Sequence, residues 1–191
     1  MPETQGGGGA GDTVRSLTLP ALPGLPLIEP GDALAPLIVA GAERAGTALA
    51  DGDVVIVAQK IVSKSEGRYV VLADVRPSPR AAELAARMDK DPRLVEVVLS
   101  ESAEIVRAVR NVLIVESHHG IVMANAGVDQ SNVTAEAGGE RVLLLPRDPD
   151  GSAAALRAEL ERLSGARVAV LINDSVGRAW RQGVVGLAIG A

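Results

Sequence analysis

The run from Asp53 to Arg68, Asp-Val-Val-Ile-Val-Ala-Gln-Lys-Ile-Val-Ser-Lys-Ser-Glu-Gly-Arg, drives an apolar stretch straight into amide, ammonium, hydroxyl and carboxylate groups. Gln59, Lys60, Ser63 and Lys64 are donors suited to an anion, and Gly67 permits a tight turn. Alone, the segment also fits a strand end with solvated lysines. Asn125 to Asn132 follows the apolar-rich Gly120-Ile-Val-Met-Ala and gathers Gly127, Asp129, Ser131 and Asn132. An aspartate beside two amides and a hydroxyl is a hard-oxygen corner for a divalent cation. A third apolar segment, starting at Val168, ends in Asn173, Asp174 and Ser175, with Arg178 and Arg181 beyond. Each of the last two also reads as a turn in which the aspartate caps its own backbone. Three strand ends of one kind point instead to a shared site, with Asp129 and Asp174 brought together around one divalent cation.

Other chemistries find little support. No G-x-x-x-x-G-K-[ST] phosphate loop is present, no G-x-S-x-G elbow, and no cysteine. Gly6, Gly8 and Gly11 spell a dinucleotide fingerprint, but no strand precedes them. His118 and His119 are neighbours, which on a strand point to opposite faces, so they read as turn histidines with hydrogen-bonded partners rather than as a metal pair.

The net charge of −5 comes without a basic block, and the aromatic residues are Tyr69 and Trp180 alone, which excludes the phosphate-tracking stripe and stacking rings of nucleic-acid binders. Trp180 reads first as a packing anchor. No apolar run is long enough for a membrane span, and the N-terminus lacks the basic start and apolar core of a signal peptide. The absence of cysteine suits a cytoplasmic setting. With 191 residues, 47% of them hydrophobic and none phenylalanine, the chain can bury one sizeable core or two small ones, built from Val, Leu, Ile and Ala.

Residues 1–13 form a Gly-rich tail expected to be disordered, and 14–191 one domain. Val14–Leu19 reads as a strand and Leu22–Gly31 as a loop pinned by Pro23, Pro26 and Pro30. Asp32 is placed to cap a helix with Leu34, Leu37, Ile38, Gly41 and Ala45 on one face. Val54–Val57 reads as buried on both faces, and Val54–Val62 with Arg68–Val75 as a hairpin-like pair. Ser78–Val109 reads as helical, with starts at Ser78-Pro79 and Asp91-Pro92 and a core face of Leu94, Val95, Val98, Ile105 and Val109. Val112–Glu116 and Ile121–Ala124 form a hairpin around His118-His119-Gly120, and Val142–Leu145 another strand. Ser152–Leu163 is a helix stopped by Gly165, and Arg167–Ile172 the strand feeding Asp174. The fold class is α+β, with mixed or antiparallel sheets and helices.

From about Leu22 onward an ordered set of motifs stands out: Gly24-Leu-Pro-Leu-Ile-Glu-Pro-Gly-Asp32, Gln59-Lys-Ile-Val-Ser-Lys-Ser-Glu-Gly-Arg68, His119-Gly120, Ala126-Gly-Val-Asp-Gln-Ser-Asn-Val133, Leu145-Pro-Arg-Asp-Pro-Asp150 and Asn173-Asp-Ser-Val-Gly-Arg-Ala-Trp-Arg181. Taken together, these resemble the coenzyme F420-0:L-glutamate ligase family, the GTP-dependent γ-glutamyl ligases of deazaflavin cofactor biosynthesis. The resemblance implies a two-part α+β fold, an intertwined homodimer, and amide formation through an acyl phosphate with F420-0, L-glutamate and GTP as substrates. It implies that Leu25, Pro26, Leu27, Ile28, Gln59, Lys64 and Asn132 contact GTP. It also implies that Asp129, Asp174 and Ser175 bind Mg²⁺ or Mn²⁺, with K⁺ an optional further ion, and it assigns no catalytic base. Gln59 stands where some relatives carry serine, and Ser175 where many carry threonine. Family members continue past Gly183–Ala191, so the chain is expected to be C-terminally incomplete and impaired as a ligase. A non-catalytic nucleotide-binding module and a γ-glutamyl ligase for another phosphorylated acceptor are the competing readings.

Overall fold

A computed structural model describes residues 16–130, 140–177 and 182–191. In chain order the elements are α1 (Leu34–Arg44), β1 (Val54–Ala58), α2 (Gln59–Ser65), β2 (Tyr69–Val71), α3 (Pro79–Met88), α4 (Pro92–Ser100), β3 (Ser102–Val109), β4 (Val112–Ser117), β5 (Val122–Ala124), β6 (Arg141–Leu143), α5 (Pro149–Ser164), β7 (Ala169–Gly177) and β8 (Val184–Gly190). Among the described residues three small sheets result, ordered β1-β7-β8, β2-β6 and β3-β4-β5. Their mixed and antiparallel pairings, with helices set apart, are α+β.

Strand β1 is shorter than its apolar run suggests. The chain turns helical at Gln59, because Gln59, Val62 and Ser63 fall on one helical face and are buried together. Burial along β1 alternates: Val55 and Val57 are in the core, while Val54 and Ile56 are 53% and 59% exposed, so the strand is covered on one face rather than two. Nor does it form a hairpin with the segment after Gly67. β1 pairs in parallel with β7, from Val54 opposite Ala169 to Ala58 opposite Asn173, and β2 pairs antiparallel with β6.

Three other expectations are corrected. Of the expected strand Val14–Leu19, Val14 and Arg15 lie outside the described residues, and Ser16–Leu19 pairs with no strand among the described residues, with Leu17 and Leu19 exposed. Asp32 does not cap α1. Its carboxylate accepts from the Glu29 N–H at 2.8 Å and closes the preceding turn, leaving Ala33 at the cap and Ala35, Ile38, Gly41 and Ala42 as the buried face. The helical signal stops at Ser100, and Ile105 and Val109 lie on β3, antiparallel to β4. Here β-branched residues fit either state, and the edge offered by β4 decides between them.

Elsewhere local signals prevail. Asp91 and Ser78 cap their helices, Gly165 ends α5 at φ 74°, and β4 and β5 pair around the turn bearing His118 and His119. Two apolar clusters form. One joins α3 and α4 to the β3-β4-β5 sheet and to β6 through Met88, Val95, Leu113 and Val142. The other joins α1 and α5 to the β1-β7-β8 sheet through Ile38, Val57, Leu160 and Ile172, and also takes in Met123 and Leu145. Met123 and Leu145 thus belong to one cluster while their near neighbours Ala126, Val128 and Leu144 belong to the other, so these segments form the seam between the two bodies.

Ser78 does more than cap α3. Its hydroxyl accepts from the Ala81 N–H at 3.2 Å, while its own N–H and hydroxyl donate to the Glu96 carboxylate at 2.7 and 2.6 Å, tying α3 to α4. These bonds from the Ser78 hydroxyl and N–H hold the Glu96 carboxyl below its ordinary value. A carboxylate depressed by folding stabilises above its unfolded pKa and loses that contribution as pH falls through the folded one. Ser78→Ala is expected to cost about 1–2 kcal/mol in urea denaturation at neutral pH, with the deficit shrinking through the acid range. Equal midpoints for the two proteins at pH 7 would contradict this.

Candidate functional site

Three segments converge at the seam. The parallel register that sets Ala58 level with Asn173 brings the first turn of α2, with Gln59 and Lys60, alongside Asp174 and Ser175 on β7. β7 does not end at Ile172 but runs on through these polar residues, paired with β8. The third segment is Asn125-Ala126-Gly127, three consecutive left-handed residues at φ 51°, 53° and 72°. For alanine this region is strained, and Ala126 is held there by burial in the core. The turn redirects the chain after β5 so that Asp129 pairs with Leu143, N–H to carbonyl at 2.9 and 2.8 Å in the two directions. Gly127 is required twice over, by its positive φ and because a Cβ there would lie 2.8 Å from the Leu145 side chain.

These segments line a cavity of about 400 Å³ whose polar wall is Gln59, Lys60, Asp129, Asn173, Asp174 and Ser175. The Lys60 ammonium rests against the Asp129 carboxylate, their side chains 36% and 21% exposed. Asp174 accepts from the Ser175 N–H at 2.8 Å and from the Gln59 side chain. Buried Ser63 donates its hydroxyl to Gln59 Oε1 at 2.9 Å, which leaves the Gln59 amino group as the donor facing Asp174. Burial pushes the Asp174 carboxyl above its ordinary value, and the negative charge of Asp129 adds to it; the Ser175 N–H, Lys60 and Gln59 oppose. Asn173 fits because Gly186, which stands opposite Ser175 on β8, carries no side chain: a Cβ there would fall 2.6 Å from Asn173 Oδ1.

The structure therefore brings Asp129 and Asp174 to one cavity, with Ser175 and Gln59 beside them. Two carboxylates and a hydroxyl are hard donors suited to Mg²⁺ or Mn²⁺, and a carboxylate costly to ionise gains most from a cation. Among the described residues no three His, Cys, Asp or Glu side chains converge, so any cation here would rely on two carboxylates and neutral oxygens. His118 is exposed in the β4–β5 turn, its Nε2 3.1 Å from the Ser100 carbonyl.

The remaining predicted residues lie elsewhere. Leu25 and Ile28 line a separate apolar cavity of about 200 Å³ with Leu34, Ile38, Val55 and Ile61. Pro26 is exposed, and Leu27 is 89% exposed. Lys64 sits one turn beyond Lys60 on α2, partly buried and off the carboxylate cavity. Asn132, together with Ser131, Arg178, Trp180 and Arg181, is outside the described residues. The sequence names Lys60 among donors suited to an anion and Asn173 among the polar residues ending its strand, but assigns neither a contact within the site. The pairing of Lys60 with Asp129 spans the fold and has no local signature.

The profile of the family described as F420-0:gamma-glutamyl ligase matches residues 24–191. The coenzyme F420:L-glutamate ligase of Methanothermobacter thermautotrophicus is 43% identical over 174 residues, covering 91% of this chain and 68% of that protein. The proteins of the same name from Methanopyrus kandleri and Methanocaldococcus jannaschii are 49% and 46% identical, over 86% and 73% of this chain and 62% and 54% of their own lengths. The chain thus spans between about half and two thirds of the length of these relatives.

Two substitutions test the geometry. Because the folded state holds the Asp174 proton more tightly than the unfolded chain does, ionising Asp174 destabilises the fold above its folded pKa, and this cost fades as pH falls towards the unfolded value. Asp174→Asn is expected to raise the melting temperature at pH 7 in chelator by about 1–3 °C, with the gap closing in mild acid. A lower melting temperature for the variant would contradict the sign. Gly127→Ala is expected to lower stability by about 2–4 kcal/mol, since both the backbone and Leu145 must yield. Urea unfolding measures it, and a change below about 0.5 kcal/mol would mean the turn relaxes freely.

Proposed function

The chain belongs to the F420-0:gamma-glutamyl ligase family, and on that premise we propose that it is a GTP-dependent acid–amino-acid ligase adding L-glutamate to coenzyme F420-0 in F420 biosynthesis. The observation carrying this reading is the meeting of Asp129 and Asp174 in one polar cavity beside Gln59 and Lys60. In the proposed reaction a carboxylate oxygen of the lactyl group attacks the γ-phosphorus of GTP, and GDP leaves with the electrons of the broken P–O bond. The glutamate amine then attacks the acyl phosphate, phosphate departs, and the amine proton is lost as the amide forms. A second, γ-linked glutamate would follow by the same steps.

Such chemistry demands positioning and charge neutralisation more than a protein nucleophile. Asp129, Asp174 and Ser175 would hold Mg²⁺ or Mn²⁺, which when bound supplies charge neutralisation on the phosphoryl oxygens. Gln59, Lys64 and Asn132 would hold the phosphates and ribose of GTP, and the Leu25–Ile28 loop, with its apolar cavity, would take the apolar faces of the nucleotide. Burial of Gln59 and Ser63 keeps the Asp174 carboxylate fixed in direction before substrate arrives. A homodimer fits the exposed apolar side chains Val54 and Ile56 on β1 and Val184 on β8, which a second copy would cover. Among the described residues no helix is long and apolar enough to cross a membrane.

Incubation with F420-0, GTP, L-glutamate and Mg²⁺ or Mn²⁺, followed by mass spectrometry, is expected to show product gaining one glutamate mass at a time. Asp129→Asn should lower the rate by about a hundredfold or more. Lys64→Ala should weaken GTP binding about tenfold in calorimetry with an unchanged melting temperature. Turnover of another phosphorylated acceptor but not F420-0 would change the substrate, and nucleotide binding without any turnover would reduce the protein to a binding module.

A further inference from the structure

Lys60 is the one cationic side chain among the described residues lining the carboxylate cavity, and its ammonium sits on Asp129, one of the two carboxylates proposed to hold metal. An ammonium and a divalent ion cannot both take that carboxylate cheaply: like charges at contact distance repel strongly where water is partly excluded. Nor is the ion pair a structural necessity. Both side chains border an open cavity rather than a core and are 36% and 21% exposed, so water partly screens the pair even though the Asp129 oxygen beneath the ammonium is covered, and its net contribution to stability is modest. Lysine is a compact charge on a flexible stem, so it can leave one anion for another within a few ångströms.

We propose that Lys60 is an exchangeable counter-ion: it occupies Asp129 in the metal-free protein and yields it to a divalent cation when a nucleotide polyphosphate is present to receive the ammonium. The proposal rests on the metal and nucleotide reading of the preceding subsection and adds a mechanism of coupling to it. With Lys60 in place, free metal meets an occupied carboxylate and binds weakly. With a polyphosphate bound, the lysine has a second anion and Asp129 is released, so metal and nucleotide raise each other's affinity by the same factor. The cavity is thereby kept from retaining metal in the absence of nucleotide, and the two carboxylates are never left without a neutralising partner.

The test is Mn²⁺ binding followed by electron paramagnetic resonance of the free ion, for wild type, Lys60→Gln and Lys60→Met, each with and without a non-hydrolysable GTP analogue. Both variants should bind Mn²⁺ alone about tenfold more tightly than wild type, because the competitor is gone. The analogue should tighten Mn²⁺ binding in wild type by about tenfold or more and by markedly less in the variants. Lys60→Met keeps the apolar stem and should match Lys60→Gln if charge is the cause; circular dichroism establishes that each is folded. Equal or weaker Mn²⁺ binding by the folded variants, or undiminished coupling to the analogue, would overturn the exchange while leaving the metal site standing. Failure of wild type and variants alike to bind Mn²⁺, with or without the analogue, would overturn the metal reading and this inference with it.

Discussion

Two strands far apart in the chain, β1 and β7, lie side by side and point the same way, so everything between them must leave one end of the sheet and return to the other. A helix alone would satisfy that requirement. This chain instead makes the crossing with a second body, α3, α4 and the β3-β4-β5 sheet, which has its own apolar cluster. The seam between the bodies therefore falls where β1 gives way to α2, and the polar groups that terminate β1 meet those that the second body sends back. The cavity is a product of topology before it is a product of any single side chain.

Within that seam, stability is spent on charge placement. Ala126 in a left-handed conformation, a glycine pressed against Leu145, and a carboxylate raised by burial are each unfavourable in isolation. They persist because Val128, Leu143 and Leu145 anchor the surrounding backbone in the cores, and because Asp129 is fixed by both of its main-chain bonds to Leu143. Local rules broken together in one place, and compensated by packing around it, are the usual mark of a functional site.

Much of the scaffold was legible because its signals are local. Ser78, Asp91 and Gly165 act within a turn of themselves, and a hairpin needs only two short runs and a turn between them. The errors arose where a neighbour decides: Ser102–Val109 becomes a strand because β4 offers an edge, and Asp32 spends its carboxylate on Glu29 rather than on α1. The same division runs through the site. Asp129 and Asp174 could be singled out from the polar residues around each, and their meeting anticipated, whereas the ion pair of Lys60 with Asp129 and the Ser63–Gln59 bond facing Asp174 depend on which helix face turns inward.

The distance along the chain between β1 and β7 also orders events during synthesis. A ribosome releases β1 long before β7 exists, at a pace of about 5–20 residues per second, so β1 waits with an unpaired edge while α3, α4 and their sheet, whose contacts are local, can already assemble. Asp129 belongs to that earlier body, held by Leu143, whereas Asp174 lies on a strand made later. The two carboxylates meet only when the late strands β7 and β8 zip onto β1. The repulsive, cation-seeking corner therefore cannot exist until β7 has joined β1, so it is built onto a hydrophobic framework whose earlier parts are local and can already bear its cost.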